Sequence, residues 1–168
     1  MPDKISPLHR SWVMSRIPSR HTKPERVARS LLHHLGYRFT VNGPKNRQLP
    51  GKPDVVLPRQ KSVVFVHGCF WHRHPNCKTA TTPRSNREYW LQKFARNVER
   101  DRRNQQALAD LGWQVIIVWE CELKNLDAVA ARFITEMPRD SKYELPEELD
   151  DLALVAEQRS RYGKSPIR

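Results

Sequence analysis

Cys69-x4-His74-x2-Cys77 brings three metal-competent side chains within nine residues, and Cys121 follows an apolar run further along the chain. Structural Zn²⁺ takes four tetrahedral sulfur and nitrogen ligands, and such sites staple segments that lack a core of their own. Residues 68–85 are such a segment, rich in Cys, His, Pro, Asn and Thr and nearly devoid of aliphatic side chains. Cys69, His74, Cys77 and Cys121 therefore read as a Cys3His zinc site, with His72 as an alternative to His74. Without a metal, the same residues are three buried free cysteines and a surface histidine.

A second chemistry starts at Asp54, which follows Pro53 and opens an apolar run. The next run ends Val63-Val64-Phe65-Val66-His67. A nuclease needs a carboxylate to hold Mg²⁺ beside the scissile phosphate, where the metal polarises phosphoryl oxygens and lowers the pKa of the attacking water. The usual companion of such an aspartate, an acidic-x-Lys pair on the following strand, is missing, because that place reads Phe65-Val66-His67. His67 and His72 are of the residue type that could serve as general base or acid near neutral pH, and are equally well explained as zinc ligands or their supports. Phe70 and Trp71 lie between these histidines, flanked by Arg73 and Lys78. Adjacent aromatics in a basic loop suit stacking on bases or wedging between them. Trp90 fits the same use or a place in the core.

Elements of several kinds must position these groups. Thr22 and Glu25 stand at capping-box spacing with Pro24 in the first turn. Val27, Leu31, Leu32 and Leu35 then recur at helical spacing up to Gly36, which predicts a helix. Tyr37–Val41 reads as a strand and residues 42–53 as a loop. Asp54–Leu57 and Ser62–His67 read as a hairpin turning at Pro58–Lys61. Asn86 to Leu111 reads as a long helix with Trp90, Phe94, Val98, Ala107 and Leu111 along it. Trp113–Glu120 is apolar without a break and suits a strand covered on both faces, with Trp113 and Trp119 in the core of a central strand. Leu123–Met137 completes the set as a helix. The expected fold is α/β, a mixed sheet flanked by helices. It divides into a basic arm (1–22), a domain (23–137) and a polar tail (138–168) with room for one short helix.

The chain has 168 residues and a formal charge of +12. Residues 1–60 carry 12 Lys/Arg against 3 Asp/Glu, whereas residues 137–168 carry 6 against 7. The basic excess therefore sits in the N-terminal part, where Lys and Arg would gain affinity for phosphates by counterion release. No apolar stretch nears the roughly 20 residues of a membrane span, and three cysteines, an odd number, fit a reducing interior rather than a disulfide framework. The expectation is a cytoplasmic DNA-binding protein that does not enter membranes.

Leu49–Asp54 (LPGKPD), Phe65–His74 (FVHGCFWHRH), Tyr89–Trp90 with Lys93, Asn97–Arg103 (NVERDRR) and Leu111–Cys121 (LGWQVIIVWEC) together resemble one family, the very-short-patch repair (Vsr) mismatch endonucleases. The similarity reaches Met14 and Thr22–Glu25 and spans roughly residues 8–135. The resemblance implies a restriction-endonuclease-like fold and a Mg²⁺-dependent nick 5′ to the T of a T·G mismatch. Such mismatches arise when 5-methylcytosine, made by a partner methyltransferase, deaminates. It further implies that Asp54 and the backbone carbonyl of Val66 ligate Mg²⁺, that His72 is the general base, and that His67 and Glu25 support metal-bound waters and the phosphate. Cys69, His74, Cys77 and Cys121 would hold structural Zn²⁺. Phe70, Trp71 and Trp90 would wedge into the duplex, Met14 would reach in from the arm, and Lys93 and Asn97 would contact DNA. The implied setting is the bacterial cytoplasm beside the nucleoid. The implied enzyme is a monomer, and mismatch-repair proteins are its candidate partners. The competing readings are a non-catalytic zinc-stapled DNA-binding module and a restriction-type or junction nuclease.

Overall fold

In the computed structural model, Thr22 caps helix α1 (Lys23–His34). The structure describes residues 20–137 together with Ser6, Leu8, His9, Trp12, Ser15 and Arg16. Met14 and the tail 138–168 lie outside the described residues. The Thr22 hydroxyl donates to Glu25 Oε1 (2.8 Å), and the His21 N–H donates to Glu25 Oε2 (2.9 Å). The box therefore closes one residue earlier than its usual form. Leu31, Leu32 and Leu35 are buried, and Gly36 takes φ 82°, the left-handed geometry that ends the helix.

The predicted strand at Tyr37–Val41 is not one. Only Thr40 pairs, in a single antiparallel bridge to Val56. Tyr37 instead enters the core, where its hydroxyl bonds the carbonyls of Phe133 (3.0 Å) and Met137 (2.9 Å). The predicted loop 42–53 contains a short helix, α2 (Pro44–Gln48), with Pro44 in its first turn. Buried Asn46 on α2 ties the segment down, donating to the carbonyls of Thr40 (3.0 Å) and Pro53 (3.1 Å).

The predicted hairpin forms: β1 (Val55–Leu57) and β2 (Ser62–His67) pair antiparallel with Leu57 opposite Ser62. A one-turn helix, α3 (Cys69–His72), follows. The long helix α4 (Arg87–Asp110) then leads to β3 (Gln114–Trp119), which pairs parallel to β2. A 3-10 turn (Glu122–Lys124) precedes α5 (Leu126–Glu136), so the last helix starts three residues later than predicted.

The sheet order is β1-β2-β3. β2 is therefore the central strand, and β3 is an edge among the described residues. One face of the sheet (Val55, Leu57, Val64, Ile116, Val118) packs on α1 and α5 through Leu31, Leu32, Val129 and Phe133. The other (Val56, Val63, Phe65) packs on Leu108 of α4. This is a mixed α/β sheet with helices on both faces. Trp113 and Trp119 are only half-buried, as befits an edge strand, and Val98 and Leu111 are exposed at 44% and 55%. No helix among the described residues is long and apolar enough to cross a membrane.

Candidate functional site

Asp54 stands immediately before β1, and its Oδ2 accepts the Val66 N–H at 2.8 Å. The pair follows from the hairpin. Val55 faces Val64, so continuing the register faces Pro53 to Val66. Proline has no N–H, leaving the Val66 carbonyl without a ladder donor there. His67 O accepts from Glu120 N–H on the β3 side (2.9 Å). Successive strand carbonyls alternate between edges, so the Val66 carbonyl faces the Asp54 side. A carboxylate and a carbonyl without a ladder donor among the described residues thus converge at the end of β1, a hard oxygen donor set of the kind that suits Mg²⁺. Burial pushes the Asp54 carboxyl up to about 6, against the Val66 hydrogen bond and the attraction of Arg29. A carboxylate this reluctant to ionise gains from a cation beside it.

Asp54, Val66, His67, His72 and Glu25 all line one cleft of about 910 Å³. The His67 and His72 rings stack at 4.0 Å with 14° between planes. Burial, and then the neighbouring His72, push His67 down to about 4, which keeps it neutral at pH 7. His72 Nδ1 lies 2.6 Å from Asp101 Oδ2. Burial raises Asp101, but the His72 hydrogen bond and the Arg100 hydrogen bond outweigh it and hold the carboxyl below the usual range. An ionised carboxylate only accepts, so Nδ1 carries a proton, and in the neutral imidazole Nε2 is then the nitrogen with the lone pair. Glu25 is buried, and Arg29 pairs with its Oε2 at 3.0 Å.

Asp101 is the site residue that reading the sequence missed. It lies inside the NVERDRR motif, and its signal was spacing. Phe94, Asn97, Asp101, Asn104 and Leu108 form one stripe along α4, with an acid in its middle, whereas Val98 points outward.

The four zinc candidates also meet, their ligand atoms all within 4.8 Å of one another. His74 Nε2 is 3.4 Å from Cys69 Sγ and 3.3 Å from Cys121 Sγ. Zn–S and Zn–N bonds of about 2.3 and 2.0 Å place tetrahedral N and S about 3.5 Å apart, so the cluster fits zinc. His74 therefore joins the cysteines, while His72 turns away to Asp101. Arg73, at φ 59°, makes the turn that separates them. Trp119 stands between the two centres, 4.4 Å from His74 and 5.2 Å from His67 by ring centroids.

Phe70, Trp71 and Trp90 form one cluster, with Phe70 4.9 Å from Trp71 and 5.4 Å from Trp90, edge to face. Phe94 of α4 underlies it, 5.2 Å from Phe70. Trp90 is neither plain core nor free, being half-buried in this platform. Asn97 donates to the Trp71 carbonyl at 3.1 Å, and the Lys93 ammonium is 5.8 Å from the Trp71 ring. Both Lys93 and Asn97 thus border the aromatic platform.

The family profile described as "DNA mismatch endonuclease Vsr" matches residues 2–79. Type II nicking enzyme V.XorIIP of Xanthomonas oryzae is 46% identical over 132 residues, covering 79% of this chain and 94% of the relative. Type II nicking enzyme V.NmeAIP of Neisseria meningitidis is 42% identical over 142 residues, covering 84% and 98%. DNA mismatch endonuclease Vsr of Escherichia coli is 42% identical over 127 residues, covering 76% and 79%. Identity of this depth over most of each chain, on a fold that gathers the Asp54 cleft and the Cys3His cluster, establishes that the chain belongs to the Vsr family of DNA endonucleases.

Proposed function

We propose that the protein nicks double-stranded DNA 5′ to the T of a T·G mismatch, in a Mg²⁺-dependent reaction centred on Asp54 in a restriction-endonuclease-like fold. The observation that carries this reading is the convergence of Asp54, the Val66 carbonyl and the Asp101-oriented His72 in one cleft. Asp54 and the Val66 carbonyl would hold Mg²⁺, which supplies charge neutralisation at the phosphate and a more acidic water. His72, fixed by Asp101 through Nδ1, takes the water proton at Nε2 as the oxygen attacks phosphorus, the P–O bond to the leaving 3′ oxygen breaks, and that oxygen takes a proton from solvent water. His67 stays neutral and stacks on the base, limiting its freedom to turn. Glu25, lining the same cleft, supports waters and phosphate. Phe70, Trp71 and Trp90 enter the duplex beside the mismatch, bordered by Lys93 and Asn97, and Met14 of the arm 1–22 reaches the same place. Cys69, His74, Cys77 and Cys121 hold structural Zn²⁺, which ties α3 to the end of β3 and so fixes the aromatic platform beside the cleft. The enzyme acts as a monomer in the bacterial cytoplasm, at the nucleoid, on mismatches left by deaminated 5-methylcytosine, alongside mismatch-repair proteins.

Asp54→Ala tests the reading. Nicking of a T·G duplex should vanish while binding to it changes little, because the carboxylate serves the metal and not DNA affinity. Wild-type-like nicking by the variant would refute it.

A further inference from the structure

We infer that Lys52 supplies the cation that contacts the scissile phosphate, in place of the lysine that β2 lacks. The inference rests on the proposed nicking reaction. Nucleophilic attack builds negative charge on the phosphoryl oxygens, and a fixed positive group aimed at that charge accelerates the step. β2 offers no lysine or arginine there, since Phe65, Val66 and His67 occupy the place.

Two cationic side chains, Lys52 and Arg100, line the cleft among the described residues. The Arg100 guanidinium is engaged with Asp101 Oδ1 at 3.1 Å. Lys52 is exposed, stands two residues before Asp54, and makes no ion pair among the described residues.

Its backbone supplies a second, independent observation. Lys52 holds φ 53°, a left-handed conformation uncommon for a residue with a long side chain. Such strain persists where surrounding structure enforces it and concentrates at functional sites. Here the enforcement is visible. Gly51, at φ 72°, is pressed so closely against α4 that an added Cβ would lie 3.0 Å from Asn104 Cβ and 3.1 Å from Phe65 Cζ. Pro53 fixes the other side of Lys52, and its carbonyl is held by Asn46. The turn is therefore clamped from both ends, and its lysine is presented to the cleft that holds Asp54.

The test is single-turnover nicking of a strand-labelled T·G duplex in Mg²⁺, with duplex affinity measured separately in Ca²⁺. Lys52→Met keeps length and a similar backbone burden while removing the charge. The expected result is a rate lower by about 100-fold or more, affinity within about threefold, and recovery of most of the rate in Lys52→Arg. Lys52→Gly relieves the strain and lacks the charge, so it should be as slow as Lys52→Met, and it reports should Lys52→Met fold poorly. A Lys52→Met rate within threefold of wild type would overturn the inference, as would a loss confined to affinity. No nicking by the wild-type protein would fail the proposed function instead.

Discussion

Asp54→Asn is expected to destroy activity and to stabilise the protein. The carboxyl is pushed from its ordinary 3.8 up to about 6, first by burial, because its charged form sits in a poorly solvated place at the end of β1. Between those two pH values the folded state holds a proton that the unfolded chain has released, so stability falls as pH rises through the window and levels above it. About two pKa units at about 1.4 kcal/mol each bring the accumulated cost at pH 8 to at most about 3 kcal/mol. Asn keeps the volume and an oxygen to accept the Val66 N–H, yet never ionises. For a chain of this size 1 kcal/mol corresponds to roughly 2–4 °C in Tm, so metal-free Asp54→Asn should melt several degrees above wild type at pH 8. The gap should close by pH 4, and added Mg²⁺ should raise the wild-type Tm while leaving the variant unmoved. Calorimetric scans at pH 4, 6 and 8, with and without Mg²⁺, give all three results. A variant no more stable than wild type at pH 8, or a gap independent of pH, would refute the assignment of a strained carboxylate awaiting a cation.

Three further outcomes are expected. Asp101→Asn should slow nicking by about 10²–10⁴-fold with duplex affinity preserved, because the amide brings no negative charge and its NH2 can turn to Nδ1 and favour the wrong His72 tautomer; single-turnover rates check this. Cys121→Ala should lower bound zinc well below one per chain and reduce Tm, since the cluster orders a segment with little core of its own; metal analysis and a melt report both. Gly51→Ala should cost about 1–3 kcal/mol, because a Cβ there meets Asn104 and Phe65 at 3.0–3.1 Å and φ 72° strains any L side chain; denaturant unfolding measures it.

Local rules made much of the molecule legible. The Thr22 N-cap, the Pro58–Lys61 turn and the short spacing of Cys69, His74 and Cys77 each act within a few residues, and each appears where expected. Asp101 was hidden because it works across 29 residues to His72. The face of α4 that meets the cleft is polar at its centre. The apolar period therefore drew attention to Val98 and Leu111, which are exposed, instead of Asn97 and Asp101, which face inward. Tyr37–Val41 has a strand's composition, but Tyr37 is committed to anchoring the end of α5, so only Thr40 pairs with β1. Sheet order was equally inaccessible, because the unbroken apolar run of β3 suggested the middle of the sheet. The place at its centre went to β2, which the hairpin and the parallel pairing with β3 enclose from both sides.

The most direct measurement is one gel of strand-labelled duplexes incubated with the protein and Mg²⁺: a T·G mismatch, the matched T·A duplex and a four-way junction. The expected result is a single nick immediately 5′ to the mismatched T, with the other two substrates intact. Equal cutting of T·A, a preference for the junction, or no Mg²⁺-dependent nick at all would contradict a mismatch-directed nicking centre built on Asp54.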